Sequence, residues 1–333
     1  MATKKIKISI AVTELAPLCG MDHYDNWPKI ISKLWRKYNK ADFDKCEAEL
    51  RTAGHIALAC DSTQKKLAAL ETKYGQQGAL TNVVKQINSV KTKSSSALVS
   101  AQDNLISGLD TSMGPMLATQ DKAMMAALIK SATNTMHGVS HEGNGLELFT
   151  KASGIKVVDT QASMNLVFYE DDKYIWEING RLDGITDNGR LVEIKNRQKA
   201  LFNTVRDYEM CQVQTYLHHK RMDMGYLVEI LPGKSRSDTV CTGLQAQCNA
   251  TGVTQILHTT PLCEEFSVSG TTYNILEVAA DPEYFAVYIR PWLMRLIKFV
   301  TGHLFTSPGL KENILKGDSD KEAYTCYAGL ECE

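Results

Sequence analysis

The chain has 333 residues, 44% of them hydrophobic and 23% charged, a globular composition long enough for one large domain or two ordinary ones. No apolar run approaches the roughly 18 residues that cross a membrane, and the opening Met-Ala-Thr-Lys-Lys-Ile-Lys lacks the apolar stretch of a signal peptide. Nine scattered cysteines without a C-x-x-C pair fit reduced thiols, so an intracellular protein with no membrane partner is expected.

The net charge of −1 hides an asymmetry. Residues 1–130 hold 18 Lys+Arg against 12 Asp+Glu, a net +6, and residues 131–333 hold 19 against 26, a net −7. A basic part beside an acidic remainder suits a protein that grips a polyanion while its acids hold cations. Chance segregation of solvated charge gives the same figures.

Residues 1–130 read as mostly helical. In "WPKIISKLWRKYNK" (27–40), Pro28 sits at a helix start, and Ile30, Ile31, Leu34, Trp35 and Tyr38 form a helical stripe. From about 42 to 110 come Ala-, Lys-, Gln- and Ser-rich segments that predict a long helical arm, broken near Gly75 and Gly78. The stretch 108–117 reads as a link to the C-terminal part of the chain.

The character changes in 131–333. A helix over 139–153 ends at Gly154, and strand-like runs come next at 164–170, 173–182 and 190–196. A helix over about 204–221, capped by Asn203, precedes a strand at 224–231. This order predicts an α/β (α+β) fold with a mixed central sheet flanked by helices. Residues 232–252 read as a loop insertion, and 281–304 as a closing amphipathic helix bent near Pro291.

One hairpin concentrates the chemistry. "INGRLDGITDNGRLVEIKNRQ" (178–198) turns at Asp187-Asn188-Gly189. A three-residue loop with Gly189 left-handed pairs Thr186 with Arg190 and sets Asp183 opposite Glu193. Directly paired residues share a face with Cβ atoms about 4.5–5.5 Å apart, close enough for two carboxylates to bind one cation. Lys195, two residues on, lies on that face too and could orient or deprotonate a water. A two-residue Asn-Gly turn would instead send the acids to opposite faces. Leu182, Ile185, Val192 and Ile194 flank these groups, and buried carboxylates suit an oxygen-preferring ion, Mg²⁺ or Mn²⁺. An exposed hairpin with a cross-strand salt bridge is the plain alternative.

Two further pieces matter. Gln212 and Tyr216 are four apart and share a helical face with Tyr208. Glu142 adjoins Gly143 and Gly145, which allow close approach. His137 and His141 flank the same stretch, but H-E-x-x-H is absent. Cys326 and Cys332 do not make the quartet of an iron–sulfur site.

Gly138-x-x-x-Glu142, Gly180-x-x-Asp183, Glu193-x-Lys195 and Gln212-x-x-x-Tyr216 occur in this order over roughly 131–231. Together they resemble the PD-(D/E)XK nuclease superfamily, in particular its lambda-exonuclease-like (YqaJ-type viral recombinase) and RecB-like branch. The resemblance implies a restriction-endonuclease-like core at 131–333 after an N-terminal helical region. It further implies a metal held by Asp183, Glu193, the Ile194 backbone carbonyl and Glu142. Lys195 would position the attacking water, and Gln212 and Tyr216 would order the site or the DNA strand.

The implied activity is hydrolysis of linear DNA by an exonuclease, in viral or phage-type recombination, repair or processing of replication intermediates. Implied partners are duplex DNA or its ends, a single-strand annealing protein and further copies of the chain. The location is the cytoplasm, or a host cell for a viral protein. An endonuclease, an RNA substrate, or a non-catalytic binding protein on a degenerate nuclease fold shares these motifs.

The chain also departs from the family. Leu182 stands where a proline often precedes the aspartate, and Asn196-Arg197 replaces a Cys-Pro. The N-terminal arginine that holds a 5′-phosphate has no equivalent. Lys5 and Lys7 are its stand-ins, with Thr13 and Arg197 as further nucleic-acid contacts.

Overall fold

The computed structural model describes residues 5–22, 27–55, 57–76, 78–80, 82, 84, 95–113, 117–197, 200–231, 272–305, 308–317 and 327–330. The insertion expected at 232–252, residues 114–116 of the expected link, and Cys326 and Cys332 lie outside the described residues.

The chain opens with a strand, β1 (Ile6–Ala11), inside the part expected to be helical. Its alternation is that of a sheet, with Ile8 and Ile10 buried and Lys7 and Ser9 on the outer face. A 3₁₀ turn (Val12–Glu14) and α1 (Leu15–Leu18) come next. Helix α2 (Trp27–Tyr38) buries the expected stripe of Ile30, Ile31, Leu34 and Trp35.

The arm region holds α3 (Lys40–Thr52), α4 (Thr63–Lys73), α5 (Ser95–Ser107) and α6 (Leu109–Met113). Asn39 caps α3 by accepting from Asp42 N (3.2 Å), and Ser62 caps α4 by accepting from Lys65 N (3.1 Å). Gly75 and Gly78, with φ of 69° and 78°, follow the end of α4, where the break in the arm was expected.

Helix α7 (Thr119–Ser153) ends at the left-handed Gly154 and is far longer than the 139–153 segment expected. Its first half packs with the arm around Leu67, Leu70, Leu109, Met125 and Ile129. Its last turns bury Leu146, Leu148 and Phe149 on a sheet. A division at residue 130 therefore falls inside one helix.

After it come β2 (Val157–Thr160), β3 (Ser163–Glu170), β4 (Tyr174–Arg181), β5 (Gly184–Thr186), β6 (Leu191–Asn196), α8 (Asp207–Lys220), β7 (Met224–Leu231) and β8 (Thr272–Ala279). Asn203 lies outside α8. The side chain of Glu209 accepts from the N–H of Arg206, which occupies the cap position (3.2 Å). A π turn (Phe285–Ile289) leads into α9 (Arg290–Thr301), whose first turn holds Pro291, where its missing N–H costs no helical bond. Helix α10 (Pro308–Lys316) comes after it.

The fold is α+β, and among the described residues the strands form two mixed sheets rather than a single central one. One has the order β1-β4-β3, the other β2-β5-β6-β7-β8. β1 runs parallel to β4 and β6 parallel to β7, while the remaining pairs are antiparallel. The chain passes from one sheet to the other at the buried Leu182-Asp183. On the second sheet, Val192, Ile194, Val228 and Ile230 pack against α7. Leu191, Leu227 and Leu276 face α8 on the opposite side.

Helix α7 reaches β6 closely because Gly145 has no side chain. A Cβ there would stand 2.6 Å from Ile194 Cγ2 and 2.9 Å from Ile230 Cδ1, whereas one at Gly143 would meet nothing within 4 Å. Gly143→Ala should stabilise the protein by about 0.5–1 kcal/mol through helix propensity. Gly145→Ala should destabilise it by about 1–3 kcal/mol through overpacking, partly offset by the same gain. Urea unfolding of both variants tests this, and midpoints moving in the same direction would contradict the seating of α7 on β6.

Candidate active site

The hairpin closes through hydrogen bonds at Thr186. Its N–H donates to Arg190 O (2.9 Å), its carbonyl accepts from Gly189 N (2.9 Å), and its hydroxyl accepts from Arg190 N (2.8 Å). Gly189 has a φ of 76°, so the loop is Asp187-Asn188-Gly189. Gly184 pairs with Val192 and Ile185 with Leu191, and this register carries Asp183 opposite Glu193. Of the two registers open to the sequence, this is the one that keeps both acids together.

β5 begins only at Gly184, so the edge of β6 beyond Val192 is left for side chains. Asp183 Oδ2 accepts the N–H of Ile194 there, at 2.8 Å. In an extended strand the N–H and C=O of one residue point to the same edge, so the Ile194 carbonyl also opens toward Asp183. Both residues line an open cleft of about 590 Å³, together with Thr13, Arg181, Glu193, Lys195, Gln212 and Tyr216.

Alternation along β6 turns Glu193 and Lys195 toward α8, where Gln212 and Tyr216 are one turn apart. Lys195 Nζ donates to Glu193 Oε1 (2.9 Å) and to Gln212 Oε1 (2.8 Å). The Gln212 amide donates to Glu193 Oε1 (2.8 Å), which fixes its orientation. Tyr216 hydroxyl accepts from that amide (3.4 Å) and donates to the Arg181 carbonyl (3.1 Å). Gly180 makes room for this ring, since a Cβ there would lie 2.7 Å from Tyr216 Cε1. Glu193 Oε2 is buried and has no hydrogen-bond partner among the described residues.

Arg197, expected at the nucleic acid, is enclosed instead. It pairs with Glu209 (2.6 Å) and Glu229 (2.6 Å), both carboxylates being fully buried. Moving the guanidinium to a phosphate would strand two buried charges. Lys5 and Lys7 pair with Glu170 and Glu177. Lys7 lies about 13 Å along β1 from Ala11 at the cleft wall. Thr13 does line the cleft. Glu142 falls within α7, three residues before Gly145, and its side chain lies outside the described residues. Arg181 was missed by sequence reasoning, although its spacing of two from Asp183 could have flagged it.

Among the described residues around β6, Asp183 and Glu193 crowd one cation, Lys195, while Glu209 and Glu229 pair with Arg197, so each set holds one carboxylate more than it has cations. The excess shows in the titration. Burial pushes the Glu193 carboxyl up to about 7; Lys195 opposes this, and Asp183 adds to it by repulsion. Burial works against the Lys195 ammonium, yet the neighbouring Glu193 holds its pKa above the usual value. The Lys195 side chain is thus held as an ammonium at neutral pH.

The donor set, the Asp183 and Glu193 carboxylates with the Ile194 carbonyl, fits a hard divalent cation. A second acidic group, Glu47, Cys60 and Asp61, fits one poorly. Asp61 already accepts from Arg51 (2.7 Å) and the Leu58 N–H (2.9 Å) and pairs with Lys65 (2.7 Å).

No protein-family model and no curated protein matches the chain. A solved structure described as "Crystal structure of SSO0001" is 14% identical with a TM-score of 0.25, covering 45% of this chain and 69% of its own. That likeness is too slight to bear on fold or function. Among the described residues, no helix is long and apolar enough to cross a membrane.

The Glu193 shift has a sign that can be measured. Its carboxyl titrates near 4.5 away from these neighbours, as in the unfolded chain, and near 7 in the fold. The folded chain therefore holds more protons between those values, and metal-free stability should fall as pH rises from about 4.5 to about 7. The loss is on the order of 3 kcal/mol. Glu193→Gln should lack this step. Urea unfolding in chelator at pH 5 and pH 8 compares them, and parallel curves would exclude the shift.

Proposed function

We propose that the chain is a Mg²⁺- or Mn²⁺-dependent nuclease on a PD-(D/E)XK core, an exonuclease hydrolysing phosphodiester bonds of linear DNA. Its setting is recombination, repair or the processing of replication intermediates, of the viral type. The observation that carries this reading is the buried excess of carboxylate over cation in the cleft, where Asp183 and Glu193 crowd Lys195 and Glu193 Oε2 has no hydrogen-bond partner among the described residues. A fold that merely decorated a hairpin with a salt bridge would have no reason to hold such an excess out of water.

Asp183, Glu193 and the Ile194 carbonyl would hold the cation, with Glu142 joining them from α7. Once bound, the ion would polarise a phosphate oxygen and make hydroxide accessible near neutral pH. Lys195, kept charged by Glu193, directs its ammonium into the same cleft and can hold the attacking water by hydrogen bonding. Gln212 fixes both Lys195 and Glu193, so these groups need no reorganisation at the moment of reaction. Tyr216 stays a neutral hydroxyl, because burial raises its pKa far above neutrality, and it anchors the strand end at Arg181.

Cleavage of end-labelled linear duplex DNA should require Mg²⁺ or Mn²⁺, stop in chelator, and vanish in Asp183→Asn. Comparing 5′- and 3′-labelled duplex, single strand and closed circle distinguishes exonuclease from endonuclease. Full activity in excess chelator would refute the reading.

Lys195→Ala should slow single-turnover hydrolysis by at least about 10²-fold, a usual effect of removing one positioned donor. DNA affinity should change far less, because one charge adds modestly to many phosphate contacts. Lys195→Arg should rescue poorly, since a planar guanidinium cannot take the place of a compact ammonium between Glu193 and Gln212. Wild-type rates in Lys195→Ala would remove this residue from the mechanism.

A further inference from the structure

We infer that Arg181 and Thr13 form a phosphodiester-binding subsite beside the carboxylates, seating the linkage next to the one that is cut. The identity of the polyanion rests on the nuclease reading above; the anion site itself rests on the cations of the cleft and their partners.

Among the described residues, two cations line the cleft, Arg181 and Lys195. Lys195 is held between Glu193 and Gln212. Lys5, Lys7 and Arg197, the cations that the sequence suggested for this task, each have an acidic partner. Arg181 is exposed, and among the described residues its guanidinium has no ion pair or hydrogen bond. A cleft with excess negative charge repels phosphate. A cation free to meet it at the rim offsets that repulsion.

The base of Arg181 is fixed although its head is not. Its carbonyl accepts from Tyr216, its strand pairs with Ser163, and the preceding Gly180 lies under the Tyr216 ring. Asp183 is two residues further, across the bend between the sheets, and lines the same cleft. Two residues span at most about 7 Å, so a linkage held at Arg181 lies near the carboxylates. The guanidinium fork suits two phosphate oxygens at once. Thr13, in the 3₁₀ turn after β1, presents an exposed side chain to the same cleft and can donate to a third oxygen.

The test is equilibrium binding of the full chain to fluorescein-labelled duplex DNA, in chelator and again in Ca²⁺. Arg181→Ala should weaken binding about tenfold and reduce the salt slope by about one, with an unfolding midpoint equal to wild type. Arg181→Lys should recover part of the loss. In a series of duplexes carrying one neutral methylphosphonate each, wild type should lose affinity at one linkage, and Arg181→Ala should lose none there. Equal profiles for the two proteins would overturn the subsite. Loss that tracks removal of the 5′-phosphate, rather than an internal linkage, would overturn it in favour of a chain-end monoester site. Because this readout needs no turnover, the two failures are separable. Coupling without any cleavage by wild type refutes the nuclease reading and leaves the anion site. Cleavage without coupling refutes the subsite alone.

Discussion

The N–H of Ile194 donates to Asp183 Oδ2 at the point where the chain leaves one sheet and enters the other. Without a side chain to accept it, that N–H would be an unsatisfied donor on a buried strand edge. The contact therefore ties three things together: the end of β4, the start of β5 and the stretch of β6 beyond Val192. It also aims the Ile194 carbonyl and both acids into one cleft. A register slip of one residue would turn Glu193 and Lys195 toward α7 and put Val192 and Ile194 against α8.

Electrostatics and packing then act on the same few residues. Glu193, Asp183 and Glu209 crowd a single lysine, so burial and repulsion together outweigh its attraction and raise the carboxyl of Glu193. A proton on Glu193 is the metal-free chain's way of reducing that charge. Arg197 has a separate task. With Glu229, which also accepts the N–H groups of Phe202 (3.1 Å) and Asn203 (2.9 Å), it secures the loop leading into α8. The helix bearing Gln212 and Tyr216 is thereby held at its entrance as well as along its length.

Two glycines set how near the helices come. Gly145 lets α7 touch Ile194 and Ile230, and Gly180 lets the ring of Tyr216 lie on β4. Each removes a Cβ from a position where a second element presses. The site is thus enclosed by α7 on one face of β6 and α8 on the other, both seated on the sheet rather than carried on loops.

Local chemistry was legible in the sequence. Asp187-Asn188-Gly189 between alternating runs placed the hairpin turn and narrowed its register to two, of which the fold takes the one with Gly189 in the left-handed position. The stripe of α2, the end of α7 at Gly154 and the spacing of Gln212 and Tyr216 were also local, since a helix repeats within a few residues. What depended on distant partners was not legible. β1 is a strand because β4, about 170 residues later in the chain, pairs with it. Leu182-Asp183 divides two sheets because β1 and β3 flank one side of the switch while β2 and β6 flank the other. Arg197 looked like a phosphate contact until Glu209 and Glu229 enclosed it, and Arg181 drew no notice until the fold set it at the cleft with no acid paired to it among the described residues. Periodicity and turn geometry act over a few residues, whereas desolvation and charge pairing are properties of whatever the folded chain brings alongside.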